Sequence, residues 1–110
     1  MNIRLLTTGL VLLASATVAR AAMQPADPKT LYDDNCMKCH GVRGLPPKTM
    51  KAKFPKIATF DAAFIASRSD DSVVKVLTRG KNEDMVSFKD KLTPEQMMIV
   101  AKYVRVLGSK

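Results

Sequence analysis

Cys36-Met37-Lys38-Cys39-His40 holds both cysteines and the one histidine of this 110-residue chain, so all of its thiol and imidazole chemistry falls within five positions. Thiols three residues apart share one face of a helical turn, and the next residue brings an imidazole beside them. Four chemistries compete for such a cluster. A disulfide between Cys36 and Cys39 leaves His40 without a task. A thioredoxin-type redox pair belongs in a βαβ setting, whereas the surrounding sequence reads as helical. Zinc needs a fourth protein donor, and the chain has no further Cys or His. The fourth chemistry uses every member: C-x-x-C-H is the pattern of covalent haem attachment, with two thioethers to the porphyrin edge and the histidine turned under the iron. We expect one haem c per chain, bound through Cys36 and Cys39, with His40 as the proximal iron ligand. His40 Nδ1 is expected to donate to a backbone carbonyl, which leaves Nε2 for the metal.

Outward from this cluster, the chain begins as a targeting segment. Arg4 gives a positive start, Leu5 to Val18 form an apolar run too short to span a bilayer, and Ala19-Arg20-Ala21 supplies a small-x-small cleavage pattern. The reading is a signal peptide over 1–21, a mature domain over 22–110, and delivery to the periplasm. No later stretch is long and apolar enough for a membrane helix, so no stable membrane insertion of the mature chain is expected. About ninety residues suffice for one small domain. With no Trp, four Phe and two Tyr, it has little aromatic mass for a core, which suits a fold built around a bound cofactor.

The formal charge is +8. Losing residues 1–21 removes Arg4 and Arg20 and no acid, which leaves sixteen cations against ten acids, or +6. Such an excess favours acidic partners. Nucleic acid is excluded as a partner, because the lysines form no basic motif with interleaved aromatics.

Helical punctuation marks the rest. Residues 22–26 read as a frayed terminus. Asp27 offers an N-cap, Pro28 fits the first helical position, and Leu31, Tyr32 and Cys36 recur at helical spacing, so a first helix runs into the cysteine cluster. Gly41 and Gly44 end it. Residues 41–59, with Pro46, Pro47 and Pro55, read as a loop round one haem edge. Phe60 to Ser67 suits a short helix with Phe60, Phe64 and Ile65 turned inward. Ser69 caps a helix over Asp70 to Arg79 that presents Val73, Val74 and Leu77 and closes at Gly80. Thr93-Pro94-Glu95-Gln96 opens a last helix with a capping box. That helix lines its inner face with Met97, Val100, Ala101, Val104 and Leu107 and ends at Gly108. No strand alternation appears, so the fold class is all-α.

A carrier that binds no small molecule fills both axial positions of its iron, and methionine is the first choice for the second. Met97 and Met98 fall in a helix, where packing explains them. Met85 lies in the irregular segment Lys81 to Lys91 between two helices and is the expected distal ligand. Met50 is the next candidate, and a water- or lysine-ligated iron remains the alternative.

The chain resembles the class I cytochromes c. The resemblance rests on the leader, Leu31-Tyr32 ahead of Cys36-Met37-Lys38-Cys39-His40-Gly41, Gly80 closing a helix, Met85 with Phe88 after it, and Leu92-Thr93-Pro94-Glu95 opening a last helix that contains Tyr103. It implies a small cytochrome c fold of three to five helices wrapped around one haem, and first and last helices crossing near Tyr32 and Tyr103. It also implies that the carbonyl of Pro46 or Pro47 accepts from His40. Two positions depart from many relatives: Pro28 stands where a glycine is common, and Val86 where a proline follows the methionine.

The expected function is one-electron transfer between haem Fe(II) and Fe(III) by a periplasmic carrier that is not itself an enzyme. Lys38, Lys48, Lys51, Lys53 and Lys56 gather around the attachment loop, where they suit transient docking of redox partners with acidic surfaces. The chain is expected as a monomer or as a subunit of a redox complex. A fixed electron-transfer subunit of a dehydrogenase or oxidase is the second reading, and a gas-binding or peroxidase-type haem protein with an open iron the third.

Overall fold

A computed structural model describes residues 27–110. The expected signal peptide, its cleavage point and the frayed terminus at 22–26 lie outside the described residues.

Asp27 accepts from the Thr30 backbone N–H at 3.0 Å and starts α1, Pro28–Asn35, with Pro28 at the first helical position. A side-chain oxygen at that point satisfies an N–H that the helix itself cannot. Cys36 is a pivot: its φ of −126° ends α1, its N–H donates to Tyr32 O, and its carbonyl accepts from Cys39 and His40 to begin α2, Met37–His40. The single helix expected to carry the cysteine cluster is therefore two, joined at the first thiol.

The expected loop at 41–59 contains α3, Lys48–Lys53. Pro47 starts it by accepting from Met50 and Lys51, and Lys48, Met50, Lys51, Ala52 and Lys53 are all good helix formers. Pro55 stops it, holding Phe54 at φ −127°, ψ 79°. Two more helices follow, α4 over Ala62–Ser67 and α5 over Asp70–Arg79, with Asp61 and Ser69 as side-chain caps. The last is α6, Pro94–Gly108, with the Thr93–Gln96 capping box formed in both directions. Among the described residues the expected cytochrome-type helices form, with two short additional ones at α2 and α3 that bring the segments to six.

The all-α reading holds, and no strand occurs among the described residues. Helix α6 packs against α5, α1 and α4. Its buried residues Met97, Val100, Ala101, Val104, Leu107 and Gly108 follow the three–four spacing of one helical stripe. Against them lie Leu31 and Tyr32 of α1, Leu77 of α5, and Phe60, Phe88 and Leu92 from the connections. Each large apolar side chain so buried contributes about 1.5–3 kcal/mol. Tyr32 and Tyr103 meet with ring centroids 5.3 Å apart, so α1 and α6 cross where expected despite Pro28. Two residues further along α6, Arg105 Nε donates to Asp70 Oδ1 at 2.8 Å and its Nη2 to Arg68 O at 3.0 Å, tying α6 to the start of α5.

Candidate metal centre

The turn from Cys36 to Gly41 is built from local hydrogen bonds and then locked by distant ones. Gly41 has φ +82°, and a Cβ there would stand 2.1 Å from Leu45 O, so only glycine lets the chain double back after His40. The Gly41 carbonyl accepts from the buried Tyr32 hydroxyl at 2.6 Å. Burial, with smaller help from nearby ionisable groups, holds that hydroxyl well above its ordinary range, so it donates as a neutral phenol.

His40 is 8 % exposed. Its Nδ1 lies 3.0 Å from Ala58 O, which fixes the proton on Nδ1 and leaves Nε2 as the lone-pair nitrogen. Burial lowers the ring's pKa from 6.5, and the bond to Ala58 opposes that shift without cancelling it. The ring is thus neutral at neutral pH, the form that binds metal. Phe60 stacks on it, with centroids 4.6 Å apart and planes 16° from parallel, and itself meets Tyr32 edge-on and Phe64 at a tilt.

The acceptor is therefore not Pro46 or Pro47. Pro47 O is committed to the first turn of α3, taking Met50 N at 2.9 Å and Lys51 N at 3.0 Å. The turn after α3, closed by Ile57 N to Phe54 O, sends the chain back until Phe60 N donates to Gly44 O at 2.8 Å. That return lays Ala58 against His40. Neither Ala58 nor the stacking role of Phe60 has a motif around it. The one clue in the sequence is a lone aromatic after a proline-rich stretch.

Cys36 is buried, Cys39 half-buried, and both are free thiols. Burial, then the proximity of Cys39, pushes the Cys36 thiol up to about 12. A thiol held neutral is the opposite of the low-pKa thiolate that a dithiol oxidoreductase needs. Among the described residues no three His, Cys, Asp or Glu side chains form a group able to hold a metal ion by themselves. Two cysteine sulfurs in one turn, not bonded to each other, beside a neutral imidazole with its Nδ1 engaged, are the donor set a covalently attached haem requires. The residues fit the group.

Met85, half-buried, packs on the hydrophobic core from the irregular stretch between α5 and α6, and Met50, also half-buried, lies within α3. Lys38, Lys48, Lys51, Lys53 and Lys56 are all exposed, as is Arg43, and no acid occurs between Asp34 and Asp61. Neither of the two ion pairs among the described residues, Lys29–Asp33 and Arg105–Asp70, involves them.

The helical fold and this turn of two thiols and an imidazole define a c-type cytochrome. The sequence model of the family described as "Cytochrome C oxidase, cbb3-type, subunit III" matches residues 23–104, and the chain belongs to that family of small c-type cytochromes. Solved structures similar to it include two of one c-type cytochrome. The KustC0563 c-type cytochrome is 34% identical over 74% of this chain and 96% of its own, with a TM-score of 0.66. A tyrosine-to-phenylalanine mutant of KustC0563 is 33% identical over 74% of this chain and 98% of its own, with a TM-score of 0.65. No curated protein matches the chain. Membership of this family means covalently bound haem c, whose iron supplies one-electron redox chemistry.

Proposed function

We propose that this chain is an exported electron carrier, with a leader over 1–21 and a cytochrome domain over 22–110. Cys36 and Cys39 hold the haem through thioethers, His40 Nε2 and Met85 Sδ are the axial ligands, and partners dock by their acidic surfaces. The observation that carries this reading is the His40 ring, neutral, bonded through Nδ1 to Ala58 O and backed by Phe60 one residue beyond two free thiols. The chain's part is to orient that imidazole, to exclude water from it and to fix the cofactor so that it cannot dissociate. No helix among the described residues is long and apolar enough to cross a membrane, in keeping with a domain that works in the periplasm.

Attachment is tested by mass. Protein from cells with a working haem-attachment system should keep its haem in acidified organic solvent and exceed the apo chain by one haem. The double variant Cys36→Ala/Cys39→Ala should give no stable holoprotein. Unmodified chain from such cells contradicts the reading.

A second reading, a fixed subunit of a respiratory complex, draws on the family description, which names an oxidase subunit, and on exposed Val42, Leu45 and Val86. Migration of the native protein with a membrane complex on gel filtration would favour it, and migration at monomer size favours the shuttle. Carbon monoxide separates both from an open-iron protein: a six-coordinate carrier leaves the ferrous spectrum unchanged on its addition.

A further inference from the structure

The irregular stretch that carries Met85 is closed on itself at one residue. Asn82 Oδ1 accepts from the Met85 backbone N–H at 2.9 Å and from the Asp84 N–H at 3.0 Å. The Met85 carbonyl accepts from Lys81 N at 2.7 Å and from Asn82 N at 3.4 Å. Both polar groups of the Met85 backbone are therefore taken by residues 81 and 82. Gly80, at φ +75°, lets the returning chain pass so close that a Cβ there would meet Ser87 N at 2.8 Å, Val86 C at 3.0 Å and Met85 O at 3.1 Å. Further on, the loop is fastened to the end of α5: Ser87 Oγ donates to Thr78 O at 2.6 Å and Phe88 N to Leu77 O at 2.7 Å.

These two fastenings differ in kind. The bonds of Ser87 and Phe88 attach the loop to the scaffold and say nothing about the rotation of Met85. Those at Met85 fix its own N–H and C=O, and hence the direction in which its Cβ leaves the backbone. Only one of them is made by a side chain. We propose that Asn82 is the positioning residue for Met85, its side-chain oxygen clamping the Met85 N–H so that the thioether stays on the iron and competing ligands stay off. This rests on the reading of Met85 as an axial ligand.

Detachment of the thioether is a two-state equilibrium, and an added ligand binds only the detached state. Its apparent affinity is the intrinsic affinity scaled by that state's population. Asn82→Ala removes one acceptor for two exposed N–H groups and should raise the detached population about tenfold, the equivalent of about 1.4 kcal/mol and one net hydrogen bond. Asn82→Asp keeps an acceptor oxygen at the same place and should restore most of the effect.

The test is imidazole titration of the ferric holoprotein, followed by the weak far-red absorption of the sulfur–iron bond, for wild type, Asn82→Ala, Asn82→Asp and Met85→Ala. Expected are about tenfold tighter imidazole binding in Asn82→Ala, near wild-type binding in Asn82→Asp, and tightest binding with no far-red band in Met85→Ala. If Met85→Ala opens the site and Asn82→Ala titrates like wild type, the clamp is wrong and the ligand assignment stands. If Asn82→Ala and Asn82→Asp bind imidazole equally tightly, the acceptor oxygen is not the cause and the clamp is likewise overturned. A far-red band and imidazole affinity unchanged in Met85→Ala overturn the ligand assignment, and the clamp falls with it.

Discussion

The two segments that carry the proposed iron ligands, His40 and Met85, are held by opposite means. The attachment turn, Cys36 to Gly41, is locked from below by contacts of buried side chains: Tyr32 on Gly41, Ala58 on His40 and Phe60 stacked on the imidazole. The stretch from Lys81 to Phe88 is mostly exposed and is held by hydrogen bonds from Asn82, Lys81, Ser87 and Phe88. Loss of a buried contact leaves a cavity or an unpaired polar group, whereas loss of an exposed hydrogen bond costs about 0.5–1.5 kcal/mol, because water takes up the freed groups. The lesson is a division of labour. His40 belongs to the core, while Met85 packs on it from a mostly exposed stretch, where local opening that leaves the rest folded is the expected behaviour.

The strongest way to break this contrast is to remove the floor of the attachment turn. Phe60→Ala deletes a ring that is 9 % exposed and touches His40, Tyr32 and Phe64, and should cost about 3–5 kcal/mol in denaturant unfolding of the holoprotein. A loss below about 1 kcal/mol would show that the stack carries no load. Met85→Ala comes next. It removes a half-buried side chain and should cost about 2 kcal/mol or less, yet it should change the iron most. The far-red band should vanish, ferrous protein should take up carbon monoxide and the potential should fall, while Met50→Ala and Met97→Ala leave all three unchanged. If Met50→Ala opens the site instead, the distal assignment moves to α3.

Tyr32→Phe sharpens the contrast by pH. Its folded pKa lies above the ordinary 10.0, chiefly through burial, so folded protein holds that proton more tightly than unfolded chain. The stability this contributes is complete below about pH 10 and is lost as pH rises through the folded value. Wild type should therefore lose stability on passing above about pH 10. Tyr32→Phe should be weaker by about 1–2 kcal/mol at neutral pH and lack that alkaline component. Identical alkaline profiles for the two proteins would contradict the assignment. The smallest effect on stability is at the lysines: Lys51→Glu/Lys53→Glu should shift unfolding by no more than about 0.5 kcal/mol. Electron transfer to an acidic partner should nevertheless slow and lose much of its dependence on ionic strength, since exposed charges are screened over about 10 Å at 0.1 M salt. Rates indifferent to both salt and reversal favour the permanently assembled subunit.

Much of this molecule is legible along the chain because the signals concerned are local. Asp27-Pro28, Ser69-Asp70 and Thr93-Pro94-Glu95-Gln96 start helices where their caps stand, since a cap satisfies N–H groups within three residues of itself. Gly80 and Gly108 likewise lie at the expected helix ends, and the stripe on α6 follows from spacing alone. The pairing of Cys36, Cys39 and His40 needs only one turn of backbone. What the sequence leaves open are contacts between segments whose separation follows no period. The partner of His40 is Ala58, eighteen residues on, because Pro47 spends its carbonyl on α3 and the chain then folds back to Gly44. Phe60 faces the imidazole for the same reason, and α3 itself lies hidden among prolines. Backbone carbonyls have no residue type to betray them, and the direction of a chain reversal depends on the summed geometry of every turn before it. Local chemistry thus chose the donors of this site, and only tertiary closure chose what holds them.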